Sequence, residues 1–278
     1  MRKFLLYLVL FAFAVLLFSI GYLFLTAQKA KPLQGPLKEK SSPQLTDKKT
    51  SVAAFFLYPD KTSDQIVYHT YYTLAYSEDD EQARWVAYRL YPNSINPFIA
   101  RSNNFKEDEA VISGSASLDD YKNSGYDRGH LAPAKTLSFN QISMSESFLM
   151  SNMSPQLPSF NRGIWKQTEE LIRSLVNKSD SLYVVTGPVL KPYLDKIGKN
   201  QVTVPSGYYN AVLRFKKGAI FGIGFLIPHK KTLKKPKEFV VAIDSIENST
   251  GLNFFRFLDQ KRQDEAERNR SFELFLQQ

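Results

Sequence analysis

The sequence predicts an α+β fold with a mainly antiparallel sheet, preceded by one hydrophobic N-terminal helix. In the main domain, stretches with the composition of strands come first, one stretch with helical spacing follows, and more strand-like stretches come after it. An uncharged apolar segment at the N-terminus predicts the separate helix. Because strands and helices do not alternate regularly, we expect an α+β rather than a parallel α/β architecture.

The first strand-like stretches lie on either side of an acidic turn. Residues Ile66 to Tyr76 are dense in β-branched and aromatic side chains, and residues Arg84 to Tyr91 alternate between two faces, as strands do. The acidic residues 78–81 between them fit a hairpin connection. Further strands are predicted at Leu182–Thr186, Tyr208–Phe215 and Ala219–Ile227, with Glu238–Ile243 as a candidate fourth.

Helices are predicted in two regions of the main domain. From Asn161 to Val176, apolar residues recur at intervals of one, three, four and seven, which predicts an amphipathic helix. From Asp259 to the end the chain is highly charged, and we expect a helix on the surface there.

The first 25 residues differ from the rest of the chain. From Phe4 to Leu25 there are 22 residues without a charge, and as a helix they would extend roughly 33 Å, which matches a bilayer core of about 30 Å. A cleaved signal sequence has a shorter apolar region of about 7–15 residues. The length therefore favours a membrane anchor in residues 1–25, with a cleaved signal sequence and a buried globular helix as the alternatives.

A flexible linker and one large domain are predicted after this segment. Residues 26–50 contain six Lys and three Pro and too little apolar surface to offset the entropy of ordering. No repeat or second linker follows, so residues 51–278 are expected to form one domain. Cysteine is absent, which excludes disulfides and thiolate metal sites. Without Arg2 and Lys3 the chain holds 34 basic and 27 acidic residues, a surplus that suits a polyanionic partner.

Three short motifs concentrate reactive side chains between Tyr126 and Arg173. They are DRGH at residues 127–130, SNMSPQ at residues 151–156 and FNRGIW at residues 160–165, with Glu169 and Arg173 in the helix that follows. Such residue types meet the needs of phosphodiester hydrolysis. A neutral imidazole can take the proton of attacking water near pH 7, and the charge that builds on phosphate oxygens is met by a divalent cation and arginines. Mg²⁺ prefers oxygen ligands and keeps several of its waters, so one or two amide or carboxylate oxygens would suffice.

The spacing in the predicted helix is compatible with such a site. Asn161 lies where the helix is predicted to begin, so it could cap the helix while its side-chain oxygen faces a cation. Trp165, Glu169 and Arg173 step by four and share one ridge. Glu169 could then reach metal-bound water on the side of Asn161, although an ordinary surface ion pair with Arg173 is the alternative.

The ordered motifs resemble the DNA/RNA non-specific endonuclease family, which includes secreted bacterial nucleases and mitochondrial endonuclease G. The resemblance rests on residues 127–130, on Asn152 with residues 155–156, and on the N-x-G-x-W pattern of residues 161–165. It covers roughly residues 55 to 258. Three motifs in the right order make the resemblance specific.

The resemblance implies a ββα-metal (His-Me finger) core and a role for each matching residue. His130 would activate the attacking water, and Asn161 would bind Mg²⁺ directly. Glu169 would hold the water shell of the ion, and Asn152 would orient the site. Mn²⁺ could substitute for Mg²⁺, and no small-molecule cofactor is implied.

Three arginines match the family's contacts to phosphate. Arg128 and Arg173 would bind the substrate backbone. Arg101 lies in a stretch that resembles the family's upstream arginine loop, so it would stabilise the transition state. The products would carry 5′-phosphates.

The leading interpretation is a metal-dependent endonuclease that acts on the backbones of DNA and RNA without sequence preference. A membrane-tethered protein that binds nucleic acid without cutting it, and an anchored phosphodiesterase with a smaller substrate, are the alternatives. Basic residues flank both ends of the N-terminal segment, so they do not fix its orientation. Since an uninhibited nuclease in the cytosol would attack the cell's own nucleic acid, we expect the domain on the extracytoplasmic side of the membrane. The sequence also leaves open whether two copies of the chain form a homodimer.

Several other polar residues have a simpler interpretation. His69 and His229 are expected to be structural, and Asp127 is expected to brace the site rather than bind metal. Trp165 is expected in the core. The lysine-rich tract from Lys230 to Lys237 is most simply a solvated loop, with attraction to a phosphate backbone as the alternative.

Overall fold

Seven strands form one antiparallel sheet at the centre of the described part of the chain. The computed structural model describes residues 58–59, 64–95 and 99–277. The strands are β1 (Gln65–Tyr68), β2 (Tyr72–Ser77), β3 (Gln82–Leu90), β4 (Asp127–His130), β5 (Met153–Gln156), β6 (Ser181–Val189), β7 (Lys196–Ile197), β8 (Val202–Thr203), β9 (Gly207–Lys216), β10 (Ala219–Pro228) and β11 (Val240–Val241). The large sheet has the order β1-β2-β3-β6-β9-β10-β11, and each neighbouring pair in it is antiparallel.

The helices are short, and one of them is interrupted. They are α1 (Leu118–Tyr121), α2 (Gln141–Ser147), α3 (Pro158–Phe160), α4 (Lys166–Leu175), α5 (Ile243–Thr250), α6 (Gln260–Glu267) and α7 (Phe272–Gln277). A π-helical turn, Asn161–Trp165, joins α3 to α4. Turns of 3₁₀ helix lie at Pro92–Ile95, Met150–Asn152, Val176–Lys178 and Pro236–Phe239.

Both faces of the large sheet are covered by apolar side chains. On one face, Ile172 and Leu175 of α4 pack in a cluster that also holds Phe272 and Phe275 of α7. On the other face, α5 and α6 contribute to a second cluster around Trp85. Strand β6 lies in the middle of the sheet and buries each of its nine residues, as expected for a strand that is covered on both sides.

A small hairpin beside the sheet carries the DRGH motif. Strands β4 and β5 pair antiparallel, with His130 opposite Met153. The hydroxyl of Tyr208, on β9, donates a hydrogen bond of 2.6 Å to the carbonyl of Pro155, and Ser154 donates one of 2.6 Å to Gln82 on β3. These bonds fix the hairpin against the large sheet.

The predicted α+β class with an antiparallel sheet is confirmed, and the strands predicted from β3 onward match β3, β6, β9 and β10 closely. Two predictions of single elements are wrong. The stretch from Ile66 to Tyr76 is a hairpin of two strands with a turn between them. The charged C-terminal region forms two helices rather than one surface helix, and the second of them buries Phe272 and Phe275. The candidate fourth strand is reduced to Val240–Val241.

The predicted N-terminal helix and linker, residues 1–50, lie outside the described residues. The domain boundary at residue 51 also lies outside them and stays a prediction. Among the described helices, none combines the length and the hydropathy needed to cross a bilayer.

Candidate active site

One cavity brings most of the predicted site residues together. It has a volume of about 570 Å³ and lies between the β4–β5 hairpin and α4. His130, Asn161 and Glu169 line it together with the arginines 101, 128 and 173. Lys135, Arg162, Lys166 and Glu170 line it as well. Seven site residues were predicted from the sequence, and Asn152 is the one of them that does not line the cavity.

His130 ends strand β4 and is 8% exposed. Its neighbour Gly129 lies against the side chain of Gln156 on β5, where a Cβ atom would overlap that side chain, so glycine is required for the hairpin to close. Burial, followed by the charges of Arg101 and Arg128, lowers the pKa of His130 to about 3. The imidazole is therefore neutral at pH 7, as a general base must be.

Two phenylalanines form the wall around His130. The rings of Phe105 and Phe148 lie 5.8 Å and 5.0 Å from the imidazole, centroid to centroid. The guanidinium of Arg128 stacks over Phe105 at 4.2 Å, and that of Arg101 stacks over Phe148 at 4.8 Å. The two rings thus cover the sides of the imidazole that they pack against and hold one arginine each, through a cation–π attraction.

Sequence reasoning did not identify either ring. Phe105 ends the RSNNF stretch that begins with Arg101. Its position in the sequence, four residues after a predicted site arginine, could have marked it as a candidate. Phe148 follows α2, and nothing in its local sequence marks it. Arg101 is also held by Asn103, whose Oδ1 accepts a hydrogen bond of 2.7 Å from Nε.

Asn161 lies within a continuous helical path, not at a helix start. Its backbone angles are φ −55° and ψ −53°, and the path begins at Pro158. The prediction that Asn161 caps a helix is therefore wrong, because a cap has extended backbone angles. Asn161 instead opens the π-helical turn, where Gly163 departs from helical geometry with φ −103° and ψ −110°. Turns of this kind occur often at functional sites.

Asp127 fixes the orientation of the Asn161 amide. Nδ2 of Asn161 donates a hydrogen bond of 2.9 Å to Oδ2 of Asp127. Arg162 donates two more bonds to the same carboxylate, of 3.0 Å and 2.7 Å. Since Nδ2 is bound to Asp127, Oδ1 is the amide atom left for a ligand, and no described residue donates a hydrogen bond to it. Asp127 thus braces the site.

Glu169 is half-buried on the cavity side of α4. Burial raises the pKa of Glu169 to about 8, although Arg173 and Arg101 act in the opposite direction. Within the described residues, Glu169 and Arg173 do not approach closely enough for an ion pair, so the alternative of a simple surface pair is wrong. A carboxyl group held this far above its usual pKa, in a cavity, is a mark of a functional site.

Asn152 braces the backbone that follows His130. It is fully buried, and its amide exchanges hydrogen bonds of 2.8 Å and 3.0 Å with the backbone N–H and carbonyl of Ala132. A further bond of 2.9 Å runs to the carbonyl of Ser147. Trp165 is buried as predicted and donates a bond of 3.2 Å to the carbonyl of His130.

The two other histidines lie outside the cavity, in structural networks. His69 is bound at 2.9 Å to Asp108. The carbonyl of Pro205 accepts a bond of 2.9 Å from Nδ1 of His229, so its Nε2 is unprotonated and accepts the backbone N–H of Leu157 at 2.8 Å. Because Leu157 directly precedes α3, His229 holds the start of the helical path that carries Asn161.

Replacing His229 by alanine is expected to destabilise the fold by about 2 kcal/mol, since it leaves the N–H of Leu157 and the carbonyl of Pro205 without partners. Urea unfolding of the full chain followed by circular dichroism measures the loss. His229→Gln, which keeps an acceptor and a donor, should recover part of it. An alanine variant as stable as the parent protein would contradict the assigned role.

The donor set fits a divalent cation. Asn161 offers a neutral oxygen and Glu169 a carboxylate, and Mg²⁺ is bound in proteins by few oxygen ligands with several retained waters. Burial disfavours the ionised form of Glu169 and so raises its pKa, and a bound cation would compensate the charge of the carboxylate.

Three arginines around a neutral base call for an anionic substrate, and the fold and the cavity together define a phosphodiester hydrolase. Residues 52–261 match the family described as DNA/RNA non-specific endonuclease. The chain belongs to this family, and the predicted nuclease activity is confirmed at that level. The family is one of metal-dependent nucleases.

Proteins from animals and fungi are similar to the chain along most of this region. Bovine "Endonuclease G, mitochondrial" is 34% identical over 198 residues, which cover 66% of this chain and 66% of the bovine protein. "Nuclease C1" of Cunninghamella echinulata var. echinulata is 35% identical over 205 residues, which cover 68% of this chain and 81% of the fungal protein. The chain thus spans about two thirds of the length of the bovine relative.

A solved structure has the same fold. It is described as "Crystal structure of the EndoG/EndoGI complex: Mechanism of EndoG inhibition", and the similarity has a TM-score of 0.72 at 29% identity. It covers 78% of this chain and 95% of that one. By that description, EndoG is there in complex with EndoGI and inhibited. The homodimer left open by the sequence stays a prediction.

The predicted localisation is wrong. The bovine, human and yeast relatives are named as mitochondrial nucleases, and the described helices include none that could cross a membrane. The names of these relatives contradict the expected extracytoplasmic domain on a single-helix anchor, and the segment expected to form that helix lies outside the described residues. The expectation rested on keeping a nuclease out of the cytosol, and the relatives named as mitochondrial show that this requirement does not imply an extracytoplasmic domain.

Proposed function

We propose that the chain cleaves internal phosphodiester bonds of DNA and RNA to products with 5′-phosphates, with Mg²⁺ bound directly by Asn161 and through water by Glu169, and with Mn²⁺ able to substitute. One observation carries this proposal. A buried neutral imidazole, an amide oxygen oriented by Asp127 and a carboxyl group with a raised pKa line the same cavity.

The ββα-metal core predicted from the resemblance corresponds to β4, β5 and the helical path from Pro158 to Leu175. Strand β4 ends on the base, and the path supplies Asn161 and Glu169. The hydrogen bond from Trp165 to the carbonyl of His130 ties strand to helix directly. The two halves of the site are therefore fixed relative to each other by packing and hydrogen bonds, which supports catalysis by positioning.

In the proposed reaction, His130 accepts a proton from water as the water oxygen attacks phosphorus. The bond from phosphorus to the 3′-oxygen breaks, so the phosphate stays on the 5′-oxygen of the downstream fragment, and the departing 3′-oxygen takes a proton from water to become a hydroxyl. Arg101, Arg128 and Arg173 stabilise the charge on the phosphoryl oxygens, since such preorganised charges act most strongly in a site with little water. Bound Mg²⁺ would supply further stabilisation of charge on the phosphate and leaving oxygens.

Bound substrate is also expected to change the pKa of His130. Without substrate, Arg101 and Arg128 disfavour the protonated imidazole. A phosphate between the two arginines carries the opposite charge, and it therefore raises the pKa of His130 towards the neutral pH range. The imidazole is thus a better proton acceptor when the scissile phosphate is in place than in the free enzyme.

The full chain incubated with supercoiled plasmid and with RNA, in Mg²⁺ and in EDTA, tests the proposal. Nicking of plasmid and degradation of RNA that both stop in EDTA are the expected result. Retarded but uncut plasmid would favour the binding protein without nuclease activity. Cleavage of a small phosphodiester alone would favour the phosphodiesterase with a smaller substrate.

Metal binding is expected to release a proton from Glu169. Because its pKa is raised to about 8, the carboxyl group is mostly protonated at pH 7 and must ionise to bind a cation. The apparent affinity for Mn²⁺ should therefore rise up to about tenfold per pH unit below pH 8 and level off above it.

Calorimetric titration with Mn²⁺ in buffers of different ionisation enthalpy measures this proton. Glu169→Gln is the control, because it keeps the shape of the side chain and has no proton to release. Binding by the parent protein with no proton release at pH 7 would contradict the assignment of Glu169.

A further inference from the structure

Eight residues after β10 form a strongly basic loop. The lysine loop, residues 230–237, carries five exposed lysines, and within the described residues none of them forms an ion pair with a carboxylate. The carboxylate of the following residue, Glu238, accepts the backbone N–H of Lys235 at 2.7 Å. Glu238 is the one acidic residue within residues 230–239, so the loop keeps a net positive charge.

The loop is held in place rather than left free. The N–H of His229 donates to the carbonyl of Ser206 at 3.0 Å at its start, and the 3₁₀ turn Pro236–Phe239 ends it. The ammonium groups of Lys234 and Lys237 lie over the rings of Phe239 and Phe272, at 6.0 Å and 4.8 Å. A fixed set of charges loses less entropy on binding an anion than a mobile one does.

The loop is adjacent to the helical path that carries the site. The ring of His229 packs against Phe160 with centroids 5.1 Å apart, and Phe160 directly precedes Asn161. The turn Pro236–Phe239 packs on α4, and Phe239 joins the same apolar cluster as Leu171 of that helix. The loop therefore flanks α3 and α4.

Exposed basic residues also lie on the rim of the cavity. Arg162 and Lys166 are exposed on the helical path and also line the cavity. Lys135 is exposed on the rim as well. Duplex DNA carries one negative charge per about 1.7 Å of its axis, so any substrate longer than a few nucleotides must extend past the rim of a cavity of about 570 Å³.

We infer that the lysine loop is a second binding surface for the phosphate backbone, outside the cleavage site, that engages long nucleic acid several nucleotides from the scissile bond. This inference rests on the proposed function for the nature of its ligand. The loop contributes to the affinity for long substrates and to its dependence on salt, and it takes no part in the cleavage of substrates that fill only the cavity.

The test variant is K230Q/K231Q/K234Q in the full chain. Its matched control is K178Q/K216Q/K217Q, which removes the same charge at the other end of the β9–β10 hairpin. Lys216 pairs with Ala219 there, whereas Pro228, beside the loop, pairs with Gly207, and a ten-residue strand separates the two ends by about 30 Å. Lys178 lies near Lys216, since Asp180 is bound to the carbonyl of Phe215.

Binding of a labelled 40-base-pair duplex in EDTA, measured by fluorescence anisotropy from 50 to 300 mM NaCl, reads out the loop without cleavage. The loop variant should bind about tenfold or more weakly near 100 mM salt. Its slope of log affinity against log salt should be shallower by about 2 to 3, because each duplex phosphate contact contributes about 0.9. The control should keep the affinity within about threefold and keep the slope of the parent protein.

Cleavage of a tetranucleotide in Mg²⁺ completes the test. The loop variant should cut it at the rate of the parent protein. Equal loss of duplex binding in the loop variant and the control variant would show that only net charge matters. Slow cleavage of the tetranucleotide by the loop variant would place the loop in the cleavage site. Either result overturns the inference. Failure of the parent protein to cut any polymer while it still binds duplex through the loop would refute the proposed function instead.

Discussion

Replacing His130 by alanine is expected to lower the rate of DNA cleavage by about 10²–10⁴-fold, the range that a positioned general base contributes. His130 is the one histidine in the cavity, and burial with two neighbouring arginines keeps it neutral far below pH 7. The loss should appear in kcat at saturating plasmid. Binding to DNA in EDTA should change little, because the arginines and lysines of the cavity remain.

Chemical rescue distinguishes a lost base from a damaged site. Alanine leaves a space between Phe105 and Phe148 that is lined by aromatic carbon and shaped for an imidazole ring. Added imidazole should therefore restore part of the rate of the variant, whereas Phe148→Leu, which disturbs the wall and keeps the base, should gain nothing from it. A His130→Ala variant within tenfold of the parent rate, measured in single-turnover nicking, would remove His130 from the mechanism.

The parts of the fold that were predictable from sequence are those with local signals. Strands β6, β9 and β10 are apolar runs bounded by polar residues, and their ends were predicted to within a few residues. The split between β1 and β2 was missed because residues 69–71 are themselves β-type residues, so composition did not reveal the turn. The burial of α7 was missed because the charge of the region outweighed Phe272 and Phe275, which are three residues apart and share one face.

The membership of the site was predictable, and its internal contacts were not. The motifs, the helix that follows them and the family resemblance together identified six residues that the structure places around one cavity. The bond between Asp127 and Asn161 spans 34 residues, and spacing within a helix carries no information about such partners. The start of the helix was misplaced although Pro158 marked it, since proline is favoured in the first turn. The neutral state of His130 depends on Phe105 and Phe148, from loops distant in sequence.

Exchange of Asp127 and Asn161 tests how the proposed metal ligand is oriented. Asn161→Asp would ordinarily be a mild change for a cation site, because it keeps an oxygen and adds charge. Here it removes the Nδ2 donor and sets a carboxylate against that of Asp127, so the two groups repel. We expect the variant to lose at least about 100-fold in kcat/KM, and Asp127→Asn to weaken Mn²⁺ binding by about 10–100-fold, the usual effect of losing an orienting partner.

The double variant D127N/N161D should recover much of this loss. The amide introduced at position 127 would then donate to the carboxylate introduced at position 161, which restores the hydrogen bond in the reverse direction and leaves a carboxylate oxygen for the cation. A double-mutant cycle on Mn²⁺ affinity and on kcat/KM should give a coupling of at least about 1.4 kcal/mol, or tenfold. Arg162, which holds Asp127 by two bonds, supplies the control, since Arg162→Lys should reduce activity only slightly in the parent protein. If the two single losses simply add in the double variant, the amide of Asn161 is not oriented by Asp127, and the assignment of its oxygen to the metal loses its structural basis.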